Sequence, residues 1–225
     1  MTEPLIVAID GPSGAGKSTV ARMLAGKLRV PYIDTGAMYR TVGLAAREAG
    51  IALPITDGEG VVTLARSLRI ELLPHPDGSV VLCNGRDVTE AIRRPEISRY
   101  ASAVSAIPGV RKCLVPLQRR LVERGGGVLE GRDIGTKVFP NAAHKFFLTA
   151  SVAERARRRT RELAARGTPQ PYETVLRELQ ERDDDDSNRA DSPLRLGSGS
   201  VLIDSSNLDA AAVVEEMERR IRGGG

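Results

Sequence analysis

The chain of 225 residues is 41% hydrophobic and 28% charged, which supplies one substantial core but too little length for two independent domains of ordinary size. No apolar stretch approaches the roughly 20 residues of a membrane span, Met1-Thr2-Glu3-Pro4 lacks the basic start of a signal peptide, and Cys83 and Cys113 lack metal-ligand spacing, so the composition points to reduced thiols in the cytoplasm. The net charge of +4 does not indicate nucleic acid, because only 5 of 33 basic residues are Lys, 10 arginines between residues 155 and 195 surround the acidic run 183–186, and few aromatic residues are available for base stacking.

Residues 5–9 are an apolar strand candidate, followed at once by Gly11-Pro12-Ser13-Gly14-Ala15-Gly16-Lys17-Ser18 and a helical pattern over 16–29 that places Val20, Leu24 and Leu28 on one face. Strand, G-x-x-x-x-G-K-S and helix in that order form a phosphate-binding loop. Its glycines let backbone N–H groups turn toward a polyphosphate, Lys17 brings a mobile positive charge, and Ser18 offers a hydroxyl to Mg²⁺ at the positive end of the helix dipole. Gly11 through Thr19 are therefore the expected nucleoside-triphosphate site, the place of ATP in a kinase. A second strand is expected at 31–33, with a polar turn and a helix over 37–49 after it. In a phosphate-loop kinase the second substrate's phosphate sits there, within reach of Arg40. Thr35 reads either as a hydroxyl donor to that phosphate or as the helix N-cap.

After a helix over 58–68 the apolar period changes from 3.6 to 2. Two hairpins, turning at Pro76-Asp77-Gly78 and Asn84-Gly85, describe a three-stranded antiparallel insert within 69–93. It is either decoration on a sheet edge or a flap that holds substrate. Further helices are expected over 111–124, 153–166, 172–182 and 210–222, further strands over 128–130, 145–148 and 201–203, and fraying at Gly223-Gly224-Gly225. Short apolar strands alternating with helices predict a single three-layer α/β domain built on a parallel sheet. Residues 153–189 form two arginine-rich helical segments joined by Gly167-Thr168-Pro169-Gln170-Pro171, the pattern of a helical lid. Arg155, Arg159 and Arg161 are its candidates for the triphosphate, and i, i+4 spacing equally suits an exposed basic face.

A phosphate loop alone does not separate small-molecule kinases from GTPases or motors, but the chain lacks an N-K-x-D guanine motif and is small for a motor. Four segments carry a resemblance: residues 9–18, Asp34-Thr35-Gly36-Ala37-Met38-Tyr39-Arg40, Glu130-Gly131-Arg132-Asp133-Ile134-Gly135-Thr136-Lys137-Val138-Phe139-Pro140-Asn141-Ala142, and Arg182-Asp183-Asp184-Asp185-Asp186-Ser187-Asn188-Arg189. Together they resemble the bacterial cytidylate kinases, which transfer a phosphoryl group from ATP to CMP or dCMP. The resemblance covers nearly the whole chain and implies a phosphate-loop kinase fold with a five-stranded sheet, an insert over 69–93 that binds the nucleoside monophosphate, and a monomer. It implies that Ser102, Arg111 and Asp133 hold cytosine, Arg182 and Asp186 the ribose, and Arg40, Arg132 and Arg189 the CMP phosphate. Cytosine's N4 amino group suits a carboxylate and its ring acceptors suit Arg111, whereas uracil opposes a carbonyl to the carboxylate. Transfer then rests on positioning and charge stabilisation by Lys17, Mg²⁺ and arginines, with Arg132, Arg189 and Arg159 foremost.

Overall fold

The computed structural model describes residues 4–75, 78–123 and 125–223; Pro76 and Asp77 of the first hairpin turn, Arg124 at the end of an expected helix and the closing Gly224-Gly225 lie outside them. Strands β1 (Ile6–Asp10), β2 (Tyr32–Asp34), β6 (Gly127–Gly131), β7 (His144–Thr149) and β8 (Val201–Asp204) form one parallel sheet in the order β2-β6-β1-β7-β8. Central β1 is buried on both sides, which explains why it reads as a continuous apolar run. Val7 and Ile9 face helices α1 (Lys17–Leu28) and α8 (Ala210–Arg222), packing on Leu24, Val214 and Met217. Ala8 faces the opposite layer, with Leu129, Val122 and Ile134. The expected five-stranded sheet and three layers are therefore present.

Helices α2 (Thr35–Glu48), α3 (Gly58–Ser67), α4 (Pro95–Ser105) and α5 (Pro108–Val122) make a second apolar cluster beside the sheet, around Met38, Val42, Val61, Val104 and Leu114. Strands β3 (Ile70–His75), β4 (Gly78–Cys83) and β5 (Arg86–Asp87) form a separate antiparallel sheet, with Asn84 (φ 51°) and Gly85 (φ 79°) in the left-handed pair that an Asn-Gly hairpin turn requires. The insert packs Val81, Cys83 and Val88 on Ala37 and Leu44 of α2 and Ile97 of α4, so it backs the helix that carries Arg40. Helices α6 (Val152–Ala165) and α7 (Tyr172–Asn188) form a hairpin with its own small core of Ala156, Leu163, Val175 and Leu179.

Two elements depart from the sequence reading. Helix α4 was not expected: its polar Ser and Arg residues dilute the pattern, and it is secured by Pro95 in its first turn and by tight packing of Tyr100 and Ala101 over Gly43 of α2. Helix α7 runs beyond residue 182 to Asn188, carrying four acidic residues into a helix end that the dipole disfavours. Ion pairs offset that cost, since Arg155 and Arg132 reach in to hold Asp183 and Asp186, and Arg189 at the end of α7 also holds Asp186.

Candidate active site

The strand-to-helix turn after β1 places the phosphate loop at the carboxyl end of the sheet, where open parallel sheets bind ligands. Gly11 takes φ 148° with its α-carbon so close to the Leu148 carbonyl that any β-carbon would collide with it, and Gly16 takes φ 89° as an N-cap without a side-chain partner. The first N–H groups of α1 therefore face the loop's concavity. Lys17 is buried, donates to the Pro12 carbonyl (2.7 Å), and has its pKa pushed well below that of a free lysine, first by burial and then by Arg132. The Ser13 carbonyl accepts from Arg155 (3.1 Å) and the Ala15 carbonyl from Ser205 Oγ (3.3 Å), so the loop is braced from two sides. Ser18 lies beside Glu130 and Tyr32, whose hydroxyl donates to the Glu130 carboxylate. Burial raises the Glu130 pKa. Ala15, Gly16 and Thr19 also line a cleft of about 210 Å³ closed by Arg158, Ser205 and Leu208, where Arg158 donates to the Ser205 carbonyl (2.6 Å).

Across from the loop, five arginines converge. Arg182, near the end of α7, is half-buried with its Nε unpartnered, and its pKa is driven well down by burial and then by Arg132, Arg40, Arg189 and Arg159. Arg40 has no hydrogen bond or ion pair among the described residues. Asp186, only 1% exposed, accepts from Arg132 Nε (2.8 Å) and from Arg189, fixing both guanidinium groups toward the cleft. Burial, followed by Arg111 and Arg132, lowers the Arg189 pKa to about 10.

Several expected positions are placed differently. The resemblance assigns Asp186 to a ribose, whereas here its carboxylate is taken by the two arginines. Thr35 is not the N-cap, a place held by Asp34, which accepts from Ala37 N (3.0 Å); the Thr35 hydroxyl donates to the Glu130 carbonyl (2.6 Å) because β2 and β6 are neighbours, so that hydrogen is not aimed at a phosphate. Of the lid candidates, Arg155 is buried and holds Ala150 (3.0 Å), Ser13 and Asp183 (2.5 Å), Arg159 pairs with Glu162 (2.8 Å) at the edge of the cluster, and Arg161 is exposed.

The third corner lies between α2, α4, α5 and the end of β6. Asp133 and Arg111 are both buried and ion-paired, with Arg111 also donating to the Ser105 carbonyl (3.2 Å); half-buried Ser102 stands on the same stretch of α4. The other oxygen of Asp133 and the Nε of Arg111 have no hydrogen-bond partner among the described residues. After Asp133 the chain makes a π-turn, Ile134–Val138, held by Asp10, which accepts from Ile134 N and Gly135 N (2.7 Å each). Burial raises the Asp10 pKa to about 6 against the pull of those bonds. Asp10, Glu130, Arg158, Ser205 and Leu208 escaped the reading of the sequence. A buried acid one residue before the glycine of a phosphate loop was the only available signal for Asp10.

The family model for cytidylate kinase matches residues 7–223. A cytidylate kinase from Carboxydothermus hydrogenoformans is 49% identical over 211 residues, covering 94% of this chain and 94% of its own. One from Geobacter sulfurreducens is 50% identical over 218 residues, covering 97% and 93%. A bifunctional pantoate ligase/cytidylate kinase from Synechococcus sp. is 46% identical over 220 residues, covering 96% of this chain and 40% of that longer protein. Among solved structures, a gluconokinase from Sinorhizobium meliloti aligns over 100% of this chain and 95% of its own with a TM-score of 0.47 and 16% identity. Because the match runs from the first strand to the last helix and holds near half identity against separate relatives, this chain belongs to the cytidylate kinase family.

Proposed function

We propose that the protein transfers the γ-phosphoryl group of ATP to CMP or dCMP, giving CDP or dCDP and ADP, as a cytoplasmic monomer in pyrimidine nucleotide metabolism. Among the described residues no helix is long and apolar enough to cross a membrane. The observation that carries the reading is the convergence of Arg40, Arg132, Arg159, Arg182 and Arg189 opposite the phosphate loop and beside the Arg111–Asp133 pair.

An oxygen of the CMP phosphate attacks the γ-phosphorus of ATP; the new P–O bond forms as the bond to the β,γ-bridging oxygen breaks, and the electron pair leaves with ADP. The attacking oxygen is already anionic, so no general base is required, and the protein's work is alignment and neutralisation of charge. Lys17 and the loop N–H groups hold the donor phosphates. Arg40, Arg132 and Arg189 hold the acceptor phosphate, while Arg159 and Arg182 face the group in flight. Ser18, backed by Glu130 and Asp34, offers the hard oxygen donors that suit Mg²⁺, and these residues would hold it; the ion supplies charge neutralisation on the phosphates when bound. The free oxygen of Asp133 accepts from cytosine N4, and Arg111 with Ser102 serves the ring acceptors.

A coupled ADP-release assay across nucleoside monophosphates tests this. CMP and dCMP should accelerate ADP release most, and acceleration by none of them would overturn the reading. Asp133→Ala should lower the ratio of kcat/KM for CMP over UMP by at least tenfold, since the discriminating contact is a buried polar one.

A further inference from the structure

Arg111 is aligned from more than one side. Its edge meets Asp133 and the Ser105 carbonyl, and its face lies over the Tyr39 ring, with the guanidinium carbon 5.3 Å from the ring centroid. That is within the range at which a ring attracts a cation, and in a buried site the attraction is at its strongest. Near the Tyr39 hydroxyl stands Gln118, two turns along α5 from Arg111 and only 1% exposed. Its amide lies beside the Tyr39 hydroxyl, in a geometry that leaves that hydroxyl and both amide heteroatoms without a hydrogen-bond partner. A buried amide that satisfies neither of its groups costs stability, and a leucine or methionine would fill the space at lower cost.

We propose that Tyr39, backed by Gln118, is a positioning residue that fixes the plane of the Arg111 guanidinium and thereby sets the discrimination between cytosine and uracil. An arginine with four rotatable stem bonds reads a base edge only if its plane is fixed. Asp133 and the Ser105 carbonyl hold its edge, and a flat surface against its face opposes the tilt that such in-plane bonds resist only weakly. Tyr39 is that surface. Helix α2 also carries Arg40 at the next position, so one helix sets both the grip on the phosphate and the plane of the base reader. The inference rests on the assignment of Asp133 and Arg111 to the base.

The test measures kcat/KM for CMP and for UMP in Tyr39→Leu, Tyr39→Phe, Gln118→Met and Asp133→Ala. The CMP-to-UMP ratio is independent of the fraction of folded enzyme, so general destabilisation does not move it. Tyr39→Leu should lower the ratio about tenfold, mainly through KM for CMP with KM for ATP unchanged, as expected for loss of a desolvated cation–π contact. Tyr39→Phe keeps the ring and should restore the ratio to within about twofold of wild type. Gln118→Met removes two unpaired buried groups and should raise Tm while lowering the ratio about threefold. If Asp133→Ala collapses the ratio while Tyr39→Leu and Gln118→Met leave it unchanged, the positioning role is overturned. If Asp133→Ala itself leaves the ratio unchanged, the base assignment fails and the inference falls with it.

Discussion

The two halves of the cleft are built in opposite ways. The donor half is one contiguous stretch, residues 11–18, and its binding groups are chiefly backbone N–H donors held by glycine conformations and by bonds to carbonyls. The acceptor half draws on α2, α4, α5, the end of β6 and the end of α7, and its groups are side chains held by other side chains. A site made of backbone is cheap to stabilise and hard to retune, whereas one made of paired arginines and aspartates is costly to bury and specific in what it accepts.

Lys17→Ala should sharpen this contrast most. It should reduce kcat in the coupled assay by about 10³-fold, the scale of removing one preorganised donor, yet leave Tm almost unchanged, because Lys17 contributes a single hydrogen bond to the loop. A large fall in Tm would break the comparison. Asp186→Ala should do the reverse. Two half-buried arginines lose their buried partner, so unfolding free energy should drop by about 3 kcal/mol and KM for CMP should rise at least tenfold while KM for ATP holds within about twofold; denaturant titration and initial rates check both.

Asp10 is the joint between the halves, one residue from the loop and bonded to the turn that follows Asp133. Its carboxyl titrates near 3.8 when unfolded and near 6 when folded, so the folded protein binds the extra proton. The stabilisation from that difference is fully present below about pH 4, falls as pH rises, and is gone above about pH 6. Relative to Asp10→Asn, wild-type stability should therefore decline by on the order of 2 kcal/mol across that window and stay level above it. Thermal unfolding at pH 4, 5, 6 and 7 measures the difference; a difference constant with pH would show that the joint is not strained by burial.

The contrast also explains what could be read in the chain. The phosphate loop was legible residue by residue because its chemistry needs consecutive glycines, a lysine and a serine. The alternation of strands and helices revealed the parallel sheet, and the Asn84-Gly85 pair marked the hairpin. Helix α4 stayed hidden because its apolar face is narrow, Ile97, Ala101 and Val104 among Ser, Arg and Glu, and depends on close packing over Gly43. The twelfth to seventeenth residues of α7 were hidden for a related reason: four successive aspartates discourage a helix until Arg155 and Arg132 arrive from elsewhere in the fold and Arg189 closes on Asp186 at the helix end. Arg158, Ser205 and Leu208 carry no motif, and only the approach of α6 to the end of β8 makes them neighbours of the loop. The roles of Thr35 and Asp186 depended on which partner each found first, and that is a property of three-dimensional proximity.

The arginine cluster has a thermodynamic consequence. Five like charges with one shared aspartate between two of them raise the free energy of the folded state, and any multivalent anion that settles among them lowers it. Folding and anion occupancy are thereby linked, with each tenfold rise in anion concentration above its dissociation constant adding about 1.4 kcal/mol to stability. Phosphate or sulfate in a buffer would act on this protein as a stabiliser and as a competitor of CMP at once, so the conditions that best preserve the enzyme are those that most disguise its affinity for its acceptor.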